Sequence, residues 1–283
     1  MLGKLMKYEL KSLSRAFIPM WILAPIIALM LSLSIRGMVA WSDSPIGRMS
    51  IVNAGNGMLM AVMVILFIGA VMGLLIMTVV FVIQRFWNGL LKEEGYLMFT
   101  LPVKTWELVV SKALTATLIA CISAVVGIFA AVILAVCSTE EVIRSLAMAW
   151  KYFFSSLIDL NPIFWLNVML FIVVTVVGMA KSIYHVYAAM SVGHLFQTHK
   201  VVGSCVAYIG ISITVSVVSN LIRAIMAMAL PDDWVYYWLY SPNGLGDTFG
   251  TFYLLYLLLF ALLEIAVYHI LTERILSTRL NLE

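Results

Sequence analysis

The sequence predicts an all-α, polytopic membrane protein with six transmembrane helices, preceded by a helix lying at the membrane surface. Three observations carry this prediction. Hydrophobic residues make up 64% of the 283 positions, against roughly 45–50% in a soluble domain even when glycine is counted. Only 11% of the chain is charged, as seventeen Lys and Arg and fourteen Asp and Glu, against about 25% ordinarily. Apolar runs of membrane-crossing length recur six times, and ~20 residues of helix are enough to cross a hydrocarbon core about 30 Å thick. So few polar groups cannot coat a soluble globule of this size. The same numbers exclude a disordered chain and a coiled coil. A net charge of +3 spread along the length is no footprint for nucleic acid.

The elements follow in order. Residues 1–15, MLGKLMKYELKSLSR, set Leu2, Leu5, Met6, Leu10 and Leu13 near one helical face, with Lys4, Lys7, Lys11 and Arg15 mostly elsewhere. That pattern describes an amphipathic helix in the headgroup layer. The first span covers about 16–35, where twenty uncharged residues separate Arg15 from Arg36. Pro19 suits a first turn, whereas Pro25 is expected to kink or loosen the helix. No A-x-A-like cleavage site follows, so this segment is expected to stay in the membrane. The second span is centred on 58–83, and its Gly69-x-x-x-Gly73 allows another helix to approach closely. The third runs over 108–136, with Lys112 placed to snorkel from its first turns. Asn161-Pro162 starts the fourth, 162–181, and Lys181 ends its apolar run. The fifth covers 201–222 and the sixth 248–272. The connections are too short for a soluble domain, so residues 1–283 read as one transmembrane domain. A barrel of strands is a weaker reading, because the runs lack period-two polarity.

Lys and Arg bias sets the orientation. With the N-terminus inside, the inner side holds Lys4, Lys7, Lys11, Arg15, Arg85, Lys92, Lys104, Lys112, Lys181, Lys200, Arg274 and Arg279. The outer side holds Arg36, Arg48, Arg144, Lys151 and Arg223. Twelve against five places both termini in the cytoplasm.

Polar residues inside the spans are few. The fifth span carries Ser204, Ser212, Thr214, Ser216, Ser219 and Asn220. Ser212, Ser216 and Ser219 share a face, as do Ser216 and Asn220, and a bundle interior or a dimer pathway suits them best, although hydroxyls also bond to the preceding turn. Glu264 lies deep in the sixth span. An exposed carboxylate at mid-depth costs ~2.5–3.5 kcal/mol on the insertion scale, so a partner or a water-filled cleft should face it. Its candidate roles are a structural hydrogen bond, contact with a cationic group on cargo, or an ion pair with Lys112 or Lys181. His185, His194 and His199 are spaced too unevenly to be adjacent ligands and have no acidic or cysteine neighbours completing a set. They read as interfacial anchors. Cys121, Cys137 and Cys205 show neither C-x-x-C spacing nor a histidine cluster, so neither a disulfide framework nor a metal site is expected. No catalytic constellation and no G-x-x-x-x-G-K-[ST] loop is present. On the outer side, Trp234, Tyr236, Tyr237, Trp238 and Tyr240 crowd into residues 229–247, a headgroup-level segment that either anchors there or re-enters the outer leaflet.

The segment 85–107, RFWNGLLKEEGYLMFTLPVKTWE, faces the cytoplasm in this topology. Phe86, Leu90 and Leu91 can share a face of a short helix stopped at Gly95, beside Lys92, Glu93 and Glu94. Bulky apolar groups shown next to charges make a docking element. A loop tucked back under the bundle through Phe99, Leu101 and Trp106 accounts for the same residues.

Glu94-Gly95-Tyr96-Leu97-Met98-Phe99-Thr100-Leu101-Pro102-Val103 resembles the inner loop of small type-2 permease subunits of ATP-binding-cassette exporters. Gly193-His194-Leu195-Phe196 with His199-Lys200 also resembles that family, as does the opening around Lys7-Tyr8-Glu9-Leu10. The resemblance implies six spans per subunit and an amphipathic connecting helix over 1–15. It also implies a coupling segment over 85–102, in which Phe86, Leu90, Leu91, Lys92, Glu93, Glu94 and Gly95 engage an ATPase. The implied partners are an ABC ATPase subunit, a second copy or close homologue, membrane lipids and a peptide cargo. ATP and Mg would bind the ATPase, and this chain would bind no cofactor. The expected function is therefore the permease of an exporter in the bacterial cytoplasmic membrane, moving amphipathic peptides outward. Small apolar drugs or lipids are the alternative cargo. An ion-driven secondary transporter is a more distant alternative, because paired midplane sites and an internal repeat are lacking.

Overall fold

The computed structural model describes residues 2–42, 50–91, 104–138, 144–145, 147–149, 151, 162–196, 199–229 and 248–278. Six long helices carry them: α1 (Leu2–Ser42), α2 (Ser50–Phe86), α3 (Thr105–Ser138), α4 (Pro162–Gly193), α5 (Lys200–Ala229) and α6 (Thr248–Thr278). Each contains a stretch long and apolar enough to cross a membrane, and no strand occurs among the described residues. The protein is an all-α, polytopic membrane protein.

Several helices run past the limits read from sequence. α1 continues from the amphipathic opening through the first apolar run, with Pro19 and Pro25 inside it. Each proline lacks the N–H that would reach the carbonyl four residues earlier, which leaves the carbonyls of Arg15 and Trp21 outside the ladder. α4 continues through Lys181 to Gly193, so the expected inner connection after residue 181 is mostly helix. A cation ends an apolar run without ending the backbone ladder. α2 passes into a π-helical turn over Trp87–Leu91, a geometry in which the wider turn redirects the side chains that follow.

The chain divides into two compact units. One comprises Met1–Lys7, Val82–Thr117 and Leu160–Glu283. Its core gathers Phe86, Leu90 and Leu91 with Leu108 and Val109 of α3, Tyr184, Tyr187 and Ala188 of α4, and Tyr268 and Leu276 of α6. Phe86 stacks on Tyr187 with ring centroids 4.0 Å apart and planes 19° from parallel. α4 packs along both α5 and α6. The α4–α5 corner requires glycine, because a Cβ on Gly193 would come within 2.3 Å of Ser204 backbone atoms. The turn is closed by the His194 N–H donating to the Met190 carbonyl at 3.0 Å and the Leu195 N–H to that of Val192 at 3.1 Å. Lys112, expected to snorkel, is instead buried. A Cβ on Gly89 would come within 2.6 Å of its Nζ, so the missing side chain on the π turn makes room for the ammonium.

The other unit comprises Tyr8–Phe81 and Leu118–Asp159. Leu13 and Phe17 pack on Ile119, with Leu10, Trp21 and Phe81 around them. Trp21 Nε1 donates to Ser123 Oγ at 3.0 Å, and Thr78 Oγ1 lies 3.4 Å from the same oxygen. One small hydroxyl thus ties α1, α2 and α3 together where lipid offers no competing partner. Gly69 and Gly73 do not serve as the expected close contact, since no atom of the described residues lies within 4 Å of a Cβ built on either. A glycine pair brings helices together only when another helix faces it.

Candidate functional site

The carboxylate deep in α6, Glu264, has found a cation. Glu264 of α6 is 5% exposed, and its Oε2 lies 3.3 Å from Lys181 Nζ on α4. One turn further along α6, the Tyr268 hydroxyl donates to the same Oε2 at 3.5 Å, the far limit of a hydrogen bond. Oε1 is buried with no hydrogen-bond partner among the described residues. Both contacts therefore converge on one oxygen of the carboxylate. Lys181 is less enclosed, its side chain 37% exposed, as suits a long stem that can hold its head at the edge of the apolar layer.

Helical spacing builds the rest. Lys181 and His185 are four residues apart on α4, and Glu264 and Tyr268 four apart on α6, so each pair shares a face. His185 lies between two tyrosine rings. Tyr208 of α5 is 4.4 Å away at 12°, and Tyr268 is 5.2 Å away at 13°. Ser212 Oγ donates to the Tyr208 carbonyl at 2.8 Å and lies 3.4 Å from His185 Nε2. With the hydroxyl proton committed to the carbonyl, the serine oxygen is the acceptor and the imidazole Nε2–H the donor. Beyond this stack Tyr184 meets His269 edge-on at 5.7 Å, and His269 Nε2 is 3.8 Å from Glu273 Oε2.

Of the pathway residues read from sequence, Glu264 and Ser212 enter this cluster and the other two do not. Ser216 and Asn220 are exposed on α5, and Asn220 Oδ1 accepts from Arg223 Nη2 at 2.7 Å. A bundle interior is not their address. His185 is part of the ring stack rather than an interfacial anchor, His194 is half-buried edge-on to Trp87 at 6.3 Å, and His199 is exposed. Sequence reading missed Tyr208, Tyr268 and the histidine stack. Their signal was available as the two i,i+4 pairs, Lys181–His185 and Glu264–Tyr268.

The docking face requires a correction. Phe86 and Leu90 are 0% exposed and Leu91 is 4% exposed, so they present no apolar surface to a partner. Phe86 ends α2 and Leu90 and Leu91 lie on the π turn that follows, and Tyr187 and the first turns of α3 cover all three in the core. Lys92, Glu93, Glu94 and Gly95 lie outside the described residues, as do Trp234, Tyr236, Tyr237, Trp238 and Tyr240.

In the second unit, Ala24, Leu74, Leu75, Ala124, Gly127 and Ile128 line an apolar hollow of about 270 Å³, with Ser123 at its wall. Among the described residues, no three His, Cys, Asp or Glu side chains come together as a metal site. No family model, no curated protein and no solved structure matches the chain.

Proposed function

We propose that this chain is the transmembrane permease subunit of an ATP-driven exporter in the bacterial cytoplasmic membrane, with both termini inside and amphipathic peptides as cargo. The observation that carries the reading is the segment Glu94–Val103, whose residues resemble the inner loop of type-2 permeases and which is separated by two residues from the π turn over Trp87–Leu91. A six-span helical architecture is compatible with it. ATP hydrolysis would belong to a partner subunit, because the sequence has no nucleotide loop.

In this reading the buried Phe86, Leu90 and Leu91 position the coupling segment rather than touching the ATPase. The charged run Lys92-Glu93-Glu94 would make the contact, and a displacement of that run would be transmitted to α3 and α4 through the packed core. A tightly packed core transmits such strain because it has few voids to absorb it. The apolar hollow beside Ser123 favours a second reading within the same class, in which small apolar drugs or lipids are carried.

The test is reconstitution with a candidate ABC ATPase subunit, sought first in the reading frame adjacent to this chain's own. Two permeases and two ATPase domains should form one complex, and inside-out vesicles should accumulate cargo only with hydrolysable ATP. Cargo movement driven by an ion gradient in vesicles free of ATPase and nucleotide would overturn the reading in favour of a secondary transporter.

A further inference from the structure

We propose that the buried carboxylate of Glu264, with the Tyr208–His185–Tyr268 ring stack beside it, is a binding site for an ammonium group carried on an apolar body. Lys181 holds the site as a tethered counter-ion that the ligand displaces. Identifying that ligand as cargo rests on the export reading; the binding itself does not.

The starting point is the unequal use of the two carboxylate oxygens. Lys181 and Tyr268 both approach Oε2, while Oε1 is buried without a partner among the described residues. A buried acceptor left unmatched is costly, and a charged one more so. The missing partner is a donor, and the charge on the carboxylate selects a cationic one. A metal ion would need further oxygen or nitrogen ligands, and no group of three such residues occurs among those described. An organic ammonium needs only the carboxylate and apolar or aromatic walls. Those walls are present, because Tyr268 both donates to Glu264 and stacks against His185, which in turn stacks against the exposed Tyr208.

Lys181 accounts for the stability of the site when empty. Its ammonium is the chemistry that the site selects, and its partly exposed stem lets it withdraw without being stranded in an apolar layer. Among the described residues, the charged and titratable groups facing the site are Lys181 and His185 from α4, Tyr208 from α5, and Glu264 and Tyr268 from α6. Lys181 is the sole fixed cation among them, so an incoming ammonium restores the balance that its withdrawal disturbs.

The experiment uses the full chain in phosphatidylcholine nanodiscs, with dodecylammonium as probe and dodecanol as its uncharged match. Dodecylammonium should bind at least about tenfold more tightly, the size expected of one charge-assisted hydrogen bond. Glu264→Gln should remove that preference while leaving dodecanol binding unchanged. Lys181→Ala should melt at a lower temperature than the wild type, bind dodecylammonium several-fold more tightly, and recover its melting temperature with dodecylammonium but not with dodecanol. A Glu264→Gln chain that binds dodecylammonium like the wild type would overturn the proposal. If that variant fails to fold, Lys181→Ala decides alone: no gain in affinity and no rescue would make the pair a closed structural bridge. Phosphatidylethanolamine in the nanodisc and an amphipathic lysine-bearing peptide then compete separately for the probe site. Displacement by the lipid assigns a headgroup, displacement by the peptide assigns cargo, and displacement by neither overturns a natural ammonium ligand. None of these readouts needs the ATPase, so loss of this site leaves the export reading standing, and failure of the ATPase complex leaves the site standing.

Discussion

Truncating Leu90 to alanine separates a core residue from a docking residue. Leu90 is 0% exposed and packed among Phe86, Leu108, Val109 and Tyr187 in one cluster. A fully buried Leu→Ala change costs about 2–5 kcal/mol, part of it transfer free energy and part the cavity left behind. Where lipid rather than water surrounds the unfolded segment, the transfer part shrinks and the lost packing remains, which favours the lower half of that range. At roughly 2–4 °C per kcal/mol for a chain of this size, the purified protein should melt about 5–10 °C lower. Leu91→Ala should behave alike, and the double variant should cost less than the sum, because adjacent truncations share one cavity. The assay is thermal unfolding of the protein alone, followed by size-exclusion with fluorescence detection, beside affinity for the proposed ATPase partner. Reversing Glu93 and Glu94 to lysine tests the proposed contact by charge alone, and an exposed ion pair is worth only ~0–1 kcal/mol, so affinity for the proposed ATPase should change little. A Leu90→Ala variant that melts like the wild type but no longer binds the proposed ATPase would refute the reasoning, since a side chain sealed in the core cannot be a contact.

Four further outcomes are expected. Gly193→Ala should destabilise the protein by about 1–3 kcal/mol or more, read as a lower melting temperature, because the added Cβ meets Ser204 backbone at 2.3 Å and backbone cannot swing aside. Ser123→Ala should cost ~1 kcal/mol and red-shift or broaden tryptophan emission, since the Trp21 Nε1–H loses its acceptor at 3.0 Å; an unchanged spectrum and stability would show that bond to be idle. In a cysteine-free background, cysteines at Asn88 and Gln197 should react with an impermeant maleimide only after the inner face is opened, whereas one at Asn243 should react in intact cells; the reverse pattern would end the orientation read from Lys and Arg. The purified chain should hydrolyse no ATP, and robust hydrolysis by a clean preparation would remove the permease assignment.

The spans could be read because their signal is local and additive. A helix of about 20 apolar residues is dictated by bilayer thickness and by the need to satisfy every backbone group internally, and neither depends on which helix lies beside it. Boundaries were less legible. Lys181 marks the end of an apolar run, yet α4 continues to Gly193, because hydrogen bonding along the backbone is indifferent to one charged side chain. The carboxylate of Glu264 was legible as a residue needing a partner, and Lys181 was one of two bases within reach. Choosing between them was not, since Lys112 is equally basic and lies instead in the core beside Gly89.

Composition, run length and charge bias therefore determine that this chain is a six-helix membrane protein, because transfer free energies sum residue by residue along the sequence. The facing of side chains is a different matter. Phe86, Leu90 and Leu91 read equally well as a docking face and as core until the packing of Phe86 on Tyr187 and the π turn that carries Leu90 and Leu91 set their direction. A single extra residue per turn rotates everything beyond it, and nothing in apolar content registers that rotation. Likewise Tyr208, His185 and Tyr268 come from three different helices, and their stack exists only because α4 packs against α5 and α6 at once. Side-chain identity is local, whereas the contacts that give Glu264 its cation and its ring wall are made across the bundle, and only the tertiary structure could decide them.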